Sequence, residues 1–374
     1  MKITKTLRSI LALMLALALC FALAACGNKK ADDQSDTDDS ASTTDNAQTD
    51  DNQTDDADSS DADSQDNDAQ NTSEGAVYNV AIVKQMDHES LDEISNAVGA
   101  QLDALAKENN VTINYKVYSG QNDQSVLKQI GDQVIGEGVD AIIPIATLAA
   151  EVMTVCAEDT QTPVIYAAVS DPAKSDLTGL EYVSGTSDAL NTEFIFDMML
   201  AQNPDVQTVG LLYSLSETNS ATPIEQAKAY LDSKNIKYIE STGNTNDEII
   251  AAASVLCSDK VDAVFTPTDN VVMAAELSIA DDFIEAGIPH YTGADSFVRS
   301  GAFITCGVNY TDLGTKTADL AYQAMDEGML GLDDYYLMDG GIITVNTDTA
   351  AALNIDYSMF STMGELVEVT TVEE

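Results

Sequence analysis

The sequence predicts an α/β protein built as two doubly wound parallel-sheet lobes joined by a hinge. Short β-branched runs alternate with amphipathic stretches of helical spacing, the mark of β-α units around parallel sheets. The alternation runs twice through residues 77–374, a span of 298 residues, enough for one large domain or two of ordinary size. The halves also echo each other. Val139-Asp140-Ala141-Ile142-Ile143 is answered by Val261-Asp262-Ala263-Val264-Phe265, and in each a polar residue, Thr147 or Asp269, stands eight positions after the valine.

Taken in order, residues 1–25 read as a lipoprotein signal peptide. Lys2, Lys5 and Arg8 precede an apolar run over residues 10–25, and small residues lead into the cysteine of Leu23-Ala24-Ala25-Cys26. The run is short of the roughly 20 residues a helix needs to cross a hydrocarbon core, which argues for a cleaved leader over a permanent span. Lipid on Cys26 would then hold the chain on the outer face of the cytoplasmic membrane, extracellular in a Gram-positive cell. Residues 26–76 follow as a disordered acidic linker: positions 31–76 hold fifteen aspartates and Glu74, with no Lys or Arg. Too little apolar area is available there to offset the entropy of ordering.

In the first half, strands are expected at 78–83, 113–118, 141–146 and 164–169. Between the first two, Leu91, Ile94, Val98, Leu102 and Leu105 recur at steps of three and four, the stripe of an amphipathic helix. In the second half, strands are expected at 206–213, 236–241, 263–267 and 290–293. Residues 185–188 would cross between lobes, 302–309 would return, and a helix over 310–327 would join the first lobe. The expected division is 77–184 plus 306–374 for the first lobe, its last residues able to contact the second, and 185–305 for the second, with the crossings as a hinge.

Composition excludes several function classes. Residues 77–374 carry 47 acidic and 11 basic side chains, with Arg299 their one arginine, a balance that repels phosphate backbones and excludes nucleic acid as a partner. Cys156, Cys257 and Cys306 are odd in number and widely spaced, with no CxxC or disulfide framework. The chain has 2 histidines, His88 and His290, and no EF-hand loop, so neither a metal nor a cofactor is expected, with a carboxylate-only calcium site the alternative left open. No Gly-x-Ser-x-Gly elbow is present, and no histidine follows a nucleophile candidate in a recognisable order, which disfavours a hydrolase.

In open parallel sheets, ligands bind beyond the carboxyl ends of the strands, where helix N-termini converge. The polar residues after each strand are Gln85 and His88, Thr147, Asp171, Ser214, Ser216, Glu217, Asn219, Ser220, Asp269, Asn270 and Asp295. Carboxylates and hydroxyls are plentiful and a cationic clamp is missing. Asp171, Asp269 or Asp295 could meet an ammonium, and Thr147 and Ser216 with free helix amides could meet a carboxylate, so a zwitterion suits the site better than a polyanion. Each has a competing role, because Asp or Ser after a strand commonly caps the next helix, and His88 suits a cap or turn. Tyr166 and Tyr213 suit core positions better than stacking on a ligand.

The runs Ile145-Ala146-Thr147-Leu148-Ala149-Ala150, Ala168-Val169-Ser170-Asp171-Pro172, Gly210-Leu211-Leu212-Tyr213-Ser214 with Glu217-Thr218-Asn219-Ser220, and Pro267-Thr268-Asp269-Asn270 resemble the tryptophan/tyrosine-type ABC transporter substrate-binding protein family, as does Asn122-Asp123-Gln124-Ser125. The resemblance spans most of residues 77–347. It implies a type I periplasmic-binding fold that captures an amino acid or related small zwitterion, aromatic ones included, for an ABC permease and its ATPase. Family contacts would fall on Thr147, Asp171, Ser216, Glu217, Asn219, Asp269, Asn270 and Asp295, with Gln85 added from the first strand end. The chain departs from the pattern at Glu89 and Leu148, where proline is usual. The alternatives are a ligand-sensing receptor of the same fold, or a nucleoside or sugar receptor; the lack of any tryptophan weighs against sugar.

Overall fold

The computed structural model describes residues 75–372, so the leader, Cys26 and the linker through residue 74 lie outside the described residues. The first lobe opens with β1 (Val77–Lys84), α1 (Glu89–Glu108), β2 (Thr112–Ser119), α2 (Gln124–Glu137), β3 (Ala141–Ile145), α3 (Thr147–Ala157), β4 (Val164–Tyr166) and β5 (Val183–Ser187). Its strands lie parallel in the order β2-β1-β3-β4-β5. Helices cover both faces, so the inner strands are apolar without alternation, as in the fully buried Ala-Ile-Ile-Pro-Ile of β3. Leu91, Ile94, Val98 and Leu102 of α1 pack on one face. Leu127 and Val134 of α2, with Ala149 and Met153 of α3, pack on the other. The ends of α2 are set locally: Asp123 accepts from the Ser125 and Val126 amides, and Gly138 closes the helix at φ 70°.

The second lobe runs through α4 (Thr192–Gln202), β6 (Thr208–Tyr213), α5 (Ala221–Lys234), β7 (Lys237–Thr242), α6 (Asn246–Asp259), β8 (Ala263–Thr266), α7 (Asn270–Met273), α8 (Glu276–Ala286), β9 (His290–Thr292), α9 (Asp295–Arg299) and β10 (Ile304–Gly307). The strand order β7-β6-β8-β9-β10 repeats the winding of the first lobe. The sequence echo now has a cause. Asp140 Oδ2 accepts from the Asn79 amide at 2.7 Å, and Asp262 Oδ2 accepts from the Gln207 and Thr208 amides at 2.8 and 2.9 Å. In each lobe this aspartate ties the third strand to the start of the first.

The chain continues as α10 (Tyr310–Asp326), β11 (Tyr336–Leu337), β12 (Ile342–Asn346), α11 (Thr347–Ala352) and β13 (Glu365–Val369). Helix α10 lies along α1, so closely that a Cβ at Gly314 would come within 2.6 Å of the Ile94 carbonyl oxygen. Strand β11 adds to β5 in the first sheet.

The expected boundaries need correction in two places. Residues 185–187 belong to the last full strand of the first sheet, so the crossing follows Ser187. Of residues 306–374, β12 and β13 pair in the second sheet, β12 antiparallel to β10, because Ile343, Val345 and Phe360 complete that lobe's core. The chain therefore crosses three times, at 188–191, 308–309 and 338–341.

Candidate functional site

The carboxyl ends of the two sheets face each other, and the lobes are in contact. Gln85 Nε2 donates to Glu217 Oε1 across the gap at 2.8 Å, His88 Nε2 meets Asn270 Oδ1 at 3.0 Å, and the Ser90 and Ser296 hydroxyls are 2.5 Å apart. Farther along the rim, Thr222 donates to Asp171 at 2.7 Å and Lys174 pairs with Glu225 at 2.8 Å. A small cavity remains between the lobes. Its wall combines an apolar part, including Leu91, Met273 and Phe297, with polar groups of both lobes and of two crossings.

The backbone around this cavity is strained. Ala146 adopts φ 75°, ψ 162° and Ala168 φ 56°, both in the cavity wall. For a residue with a Cβ such conformations cost about 1–3 kcal/mol each and persist where surrounding structure over-determines them. The turn at Ala168 also ends β4 earlier than the apolar pattern suggests. Immediately after Ala146, α3 begins. Its Leu148 amide is taken by Gln85 Oε1 at 3.1 Å, while the Thr147 hydroxyl, 1% exposed, has no partner.

Asp188, at the first crossing, is buried in the cavity wall. Ser170 donates to its Oδ1 at 2.9 Å and the Tyr310 hydroxyl to its Oδ2 at 3.2 Å. Burial pushes its pKa up, and the two hydroxyls and its own backbone amide pull it back; no cation appears among the groups acting on it. Tyr310 is itself held well above its usual range by burial and by Asp188, so it remains a neutral donor.

Several expected residues gather here. Gln85 is a junction: Nε2 serves Glu217 and Asn122, and Oε1 serves α3. Asn270 bridges His88 and Glu217 Oε2, the latter at 2.6 Å. Asn219 donates to the Thr268 carbonyl at 2.6 Å, and both line the cavity. Burial first, then the charge of Asp269, raises Glu217 to about 8.

Asp269 is present but already satisfied. Ser214 and Ser220 donate to its Oδ2, and the Val271 and Val272 amides to its Oδ1. A carboxylate has about four lone-pair positions, so the expectation that Asp269 meets a ligand ammonium gives way to a capping role. Asp295 pairs with Arg299 one turn on and lies outside the cavity wall, although Ala294 and Phe297 lie within it. Asp171 is at the rim, and Ser216 is exposed against Ser214. Tyr166 and Tyr213 sit in the cores, their hydroxyls bonded to the Asp334 carbonyl and to Glu240.

The residues that strand-end reasoning passed over are Asp188, Ser170 and Tyr310. Their signal was positional: an acid directly after a buried strand and an aromatic at the start of the returning helix, both at crossings. His88, weighed as a cap, makes no side-chain capping bond.

Comparison with known proteins places this geometry. A family model described as ABC transporter substrate binding protein matches residues 79–359. A tyrosine-binding protein of Clostridioides difficile (strain R20291) is 28% identical over 282 residues, 74% of this chain and 81% of that one. The ABC domain from Streptococcus pneumonia in complex with L-Trp is 26% identical with a TM-score of 0.71, over 78% of this chain and 99% of the other. The ligand-free, open structure of a substrate-binding protein with adhesive properties from Clostridium difficile is 25% identical with a TM-score of 0.59, over 79% and 100%. At nearly equal coverage the chain superposes better on the L-Trp complex than on the open form, in line with its contacting lobes.

Proposed function

The chain belongs to the ABC transporter substrate-binding protein family, and from that premise we propose that it captures an amino acid in the interlobe cavity and hands it to a membrane permease driven by an ATPase. The family's role is binding rather than catalysis. The observation that carries the amino-acid assignment is Asp188, a buried carboxylate with two neutral donors and no cationic neighbour. A ligand ammonium would supply the missing positive charge. At the other end of the zwitterion, the unpartnered Thr147 hydroxyl, next to the cavity-wall residue Ala146 and at the N-terminus of the 11-residue α3, would meet the carboxylate, which the helix dipole favours there. The relatives named for tyrosine and bound to L-Trp add weight to the same choice. Among the site residues expected from sequence, Gln85, Glu217 and Asn270 would hold the lobes together around the ligand, while Asp171, Ser216 and Asp295 would act at its margin. Cys26, carrying lipid, would keep the receptor at the outer face of the membrane.

Titration calorimetry against the twenty amino acids is the test. Binding of at least one amino acid, weakened by about 10- to 100-fold in Asp188→Asn, is the expected result, since hydrogen bonds to charged groups contribute about 1.5–3 kcal/mol. A flat response to all twenty, or an unaltered affinity in Asp188→Asn, would sink the assignment.

A further inference from the structure

Closing the cavity brings two acidic surfaces together, since the 47 acidic and 11 basic side chains of residues 77–374 leave both lobes negative. At two places on the seam one arrangement recurs: an acid, and three or four positions later a base that faces an acid of the other lobe. The first pair is Asp171 and Lys174 of the first lobe. Asp171 Oδ1 accepts from the Lys174 amide at 3.1 Å, and Lys174 Nζ crosses to Glu225 Oε2 on α5 at 2.8 Å. Lys174 holds Glu225 below its usual value against the opposing charge of Asp171. The second pair is Asp295 and Arg299 of the second lobe, joined to each other on α9. The Ser90 and Ser296 hydroxyls, 2.5 Å apart, set α9 against the first turn of α1, and Glu93 and Arg299 each stand three positions further along the same helix face. Burial disfavours charge on the guanidinium; Asp295, then Glu93 and Glu89 of α1, favour it.

We propose that Lys174 and Arg299 form an electrostatic latch on the closed state, one cation from each lobe, and that ligand affinity depends on ionic strength through these two side chains. Without them, closure sets Asp171 against Glu225 and Asp295 against the acids of α1. The latch does not depend on which ligand is captured. The Debye length falls from about 30 Å at 0.01 M salt to about 3 Å at 1 M, so the latch acts in dilute surroundings and fades in salt. Exposed ion pairs contribute about 1.5- to 5-fold each, so losing both cations should weaken binding by roughly 3- to 20-fold at low salt.

The test measures dissociation constants by calorimetry in about 0.01 M and about 1 M sodium chloride. It compares the full chain, Lys174→Gln/Arg299→Gln, and a control with the same change of charge, Lys107→Gln/Lys237→Gln. Lys107 lies in the last turn of α1 and Lys237 at the start of β7, both exposed and at the ends of their elements away from the cavity. The probe is L-tyrosine or, should another of the twenty amino acids bind more tightly, that one. The seam variant is expected to bind at least 3-fold more weakly than the wild type at low salt and within 2-fold of it at high salt, with the control within 2-fold at both. A smaller loss at low salt, a loss of equal size at both salts, or a control that matches the seam variant overturns the latch. Lys174→Gln alone, at an exposed pair, carries the same comparison with a loss of at least 1.5-fold should the double variant not fold. Failure of all twenty amino acids to bind overturns the amino-acid reading and not the latch. The latch is then read from the separation of dyes placed at the exposed positions Glu108 and Ser233 of the ligand-free chain. The seam variant should be more open than the wild type at low salt alone, and equal separations there overturn the proposal.

Discussion

At the scale of single residues, Asp188 is a burden on the ligand-free fold. Burial raises its pKa above the ordinary 3.8, so the folded state holds a proton more tightly than the unfolded chain. Its favourable contribution is therefore complete below that value and is lost as pH rises through the raised one. At neutral pH, Asp188→Asn is expected to raise the melting temperature of the ligand-free protein while weakening amino-acid binding; a fall in both together would show a merely structural role. Asp269 is the counter-case. Both acids follow strands, and the sequence places Asp269 correctly at a strand end, but capping requires only local amides, whereas the environment of Asp188 is made by Ser170 and Tyr310 from distant segments. Nothing within a few residues of Asp188 signals that enclosure. For the same reason the enclosure of His88 is invisible in sequence: its ring meets Asn270, 182 positions away.

Between elements, two packing relations have measurable consequences. Helices α1 and α10 approach so closely at Gly314 that Gly314→Ala is expected to destabilise the fold by about 1–3 kcal/mol in urea unfolding, as overpacking does. A loss within experimental error would mean that the helices can part at little cost. The second relation is the contact of β1 and β6 loops through Gln85 and Glu217. When the lobes separate, Gln85 withdraws and water reaches Glu217, which falls from about 8 toward its ordinary 4.5. Closure thus takes up a proton between those values, is favoured as pH falls through about 8, and is opposed above it. Binding enthalpies near pH 7 are expected to differ between phosphate and Tris buffers in proportion to their ionisation heats. Glu217→Gln should abolish that difference, and equal enthalpies in the wild type would contradict the linkage. Asp269, the charged neighbour of Glu217, is fully buried. The elements themselves were largely legible, because buried parallel strands leave unbroken apolar runs and amphipathic helices leave stripes. Strands β12 and β13 were not, since their place depends on which sheet edge is free and sequence periodicity carries no such information.

For the whole molecule, cellular position and folding are the open consequences of the architecture. If Cys26 carries lipid, Cys26→Ser should shift the protein from the membrane fraction to the medium with ligand affinity unchanged; retention at the membrane would remove the anchor from the account. The three crossings matter in another way. Neither lobe is a continuous stretch of chain: the first sheet gains β11 and the cover of α10 after the whole β6–β10 series has been made, and the second gains β12 and β13 later still. Pairings such as Thr186 with Tyr336 close long loops, which slows folding relative to chains with local contacts. A nascent or truncated chain ending near residue 309 would bare the side of α1 around Ala97 that α10 otherwise covers, a surface prone to aggregation. The chain that crosses three times to make a hinge must therefore be essentially complete before either half of it is safe from its neighbours.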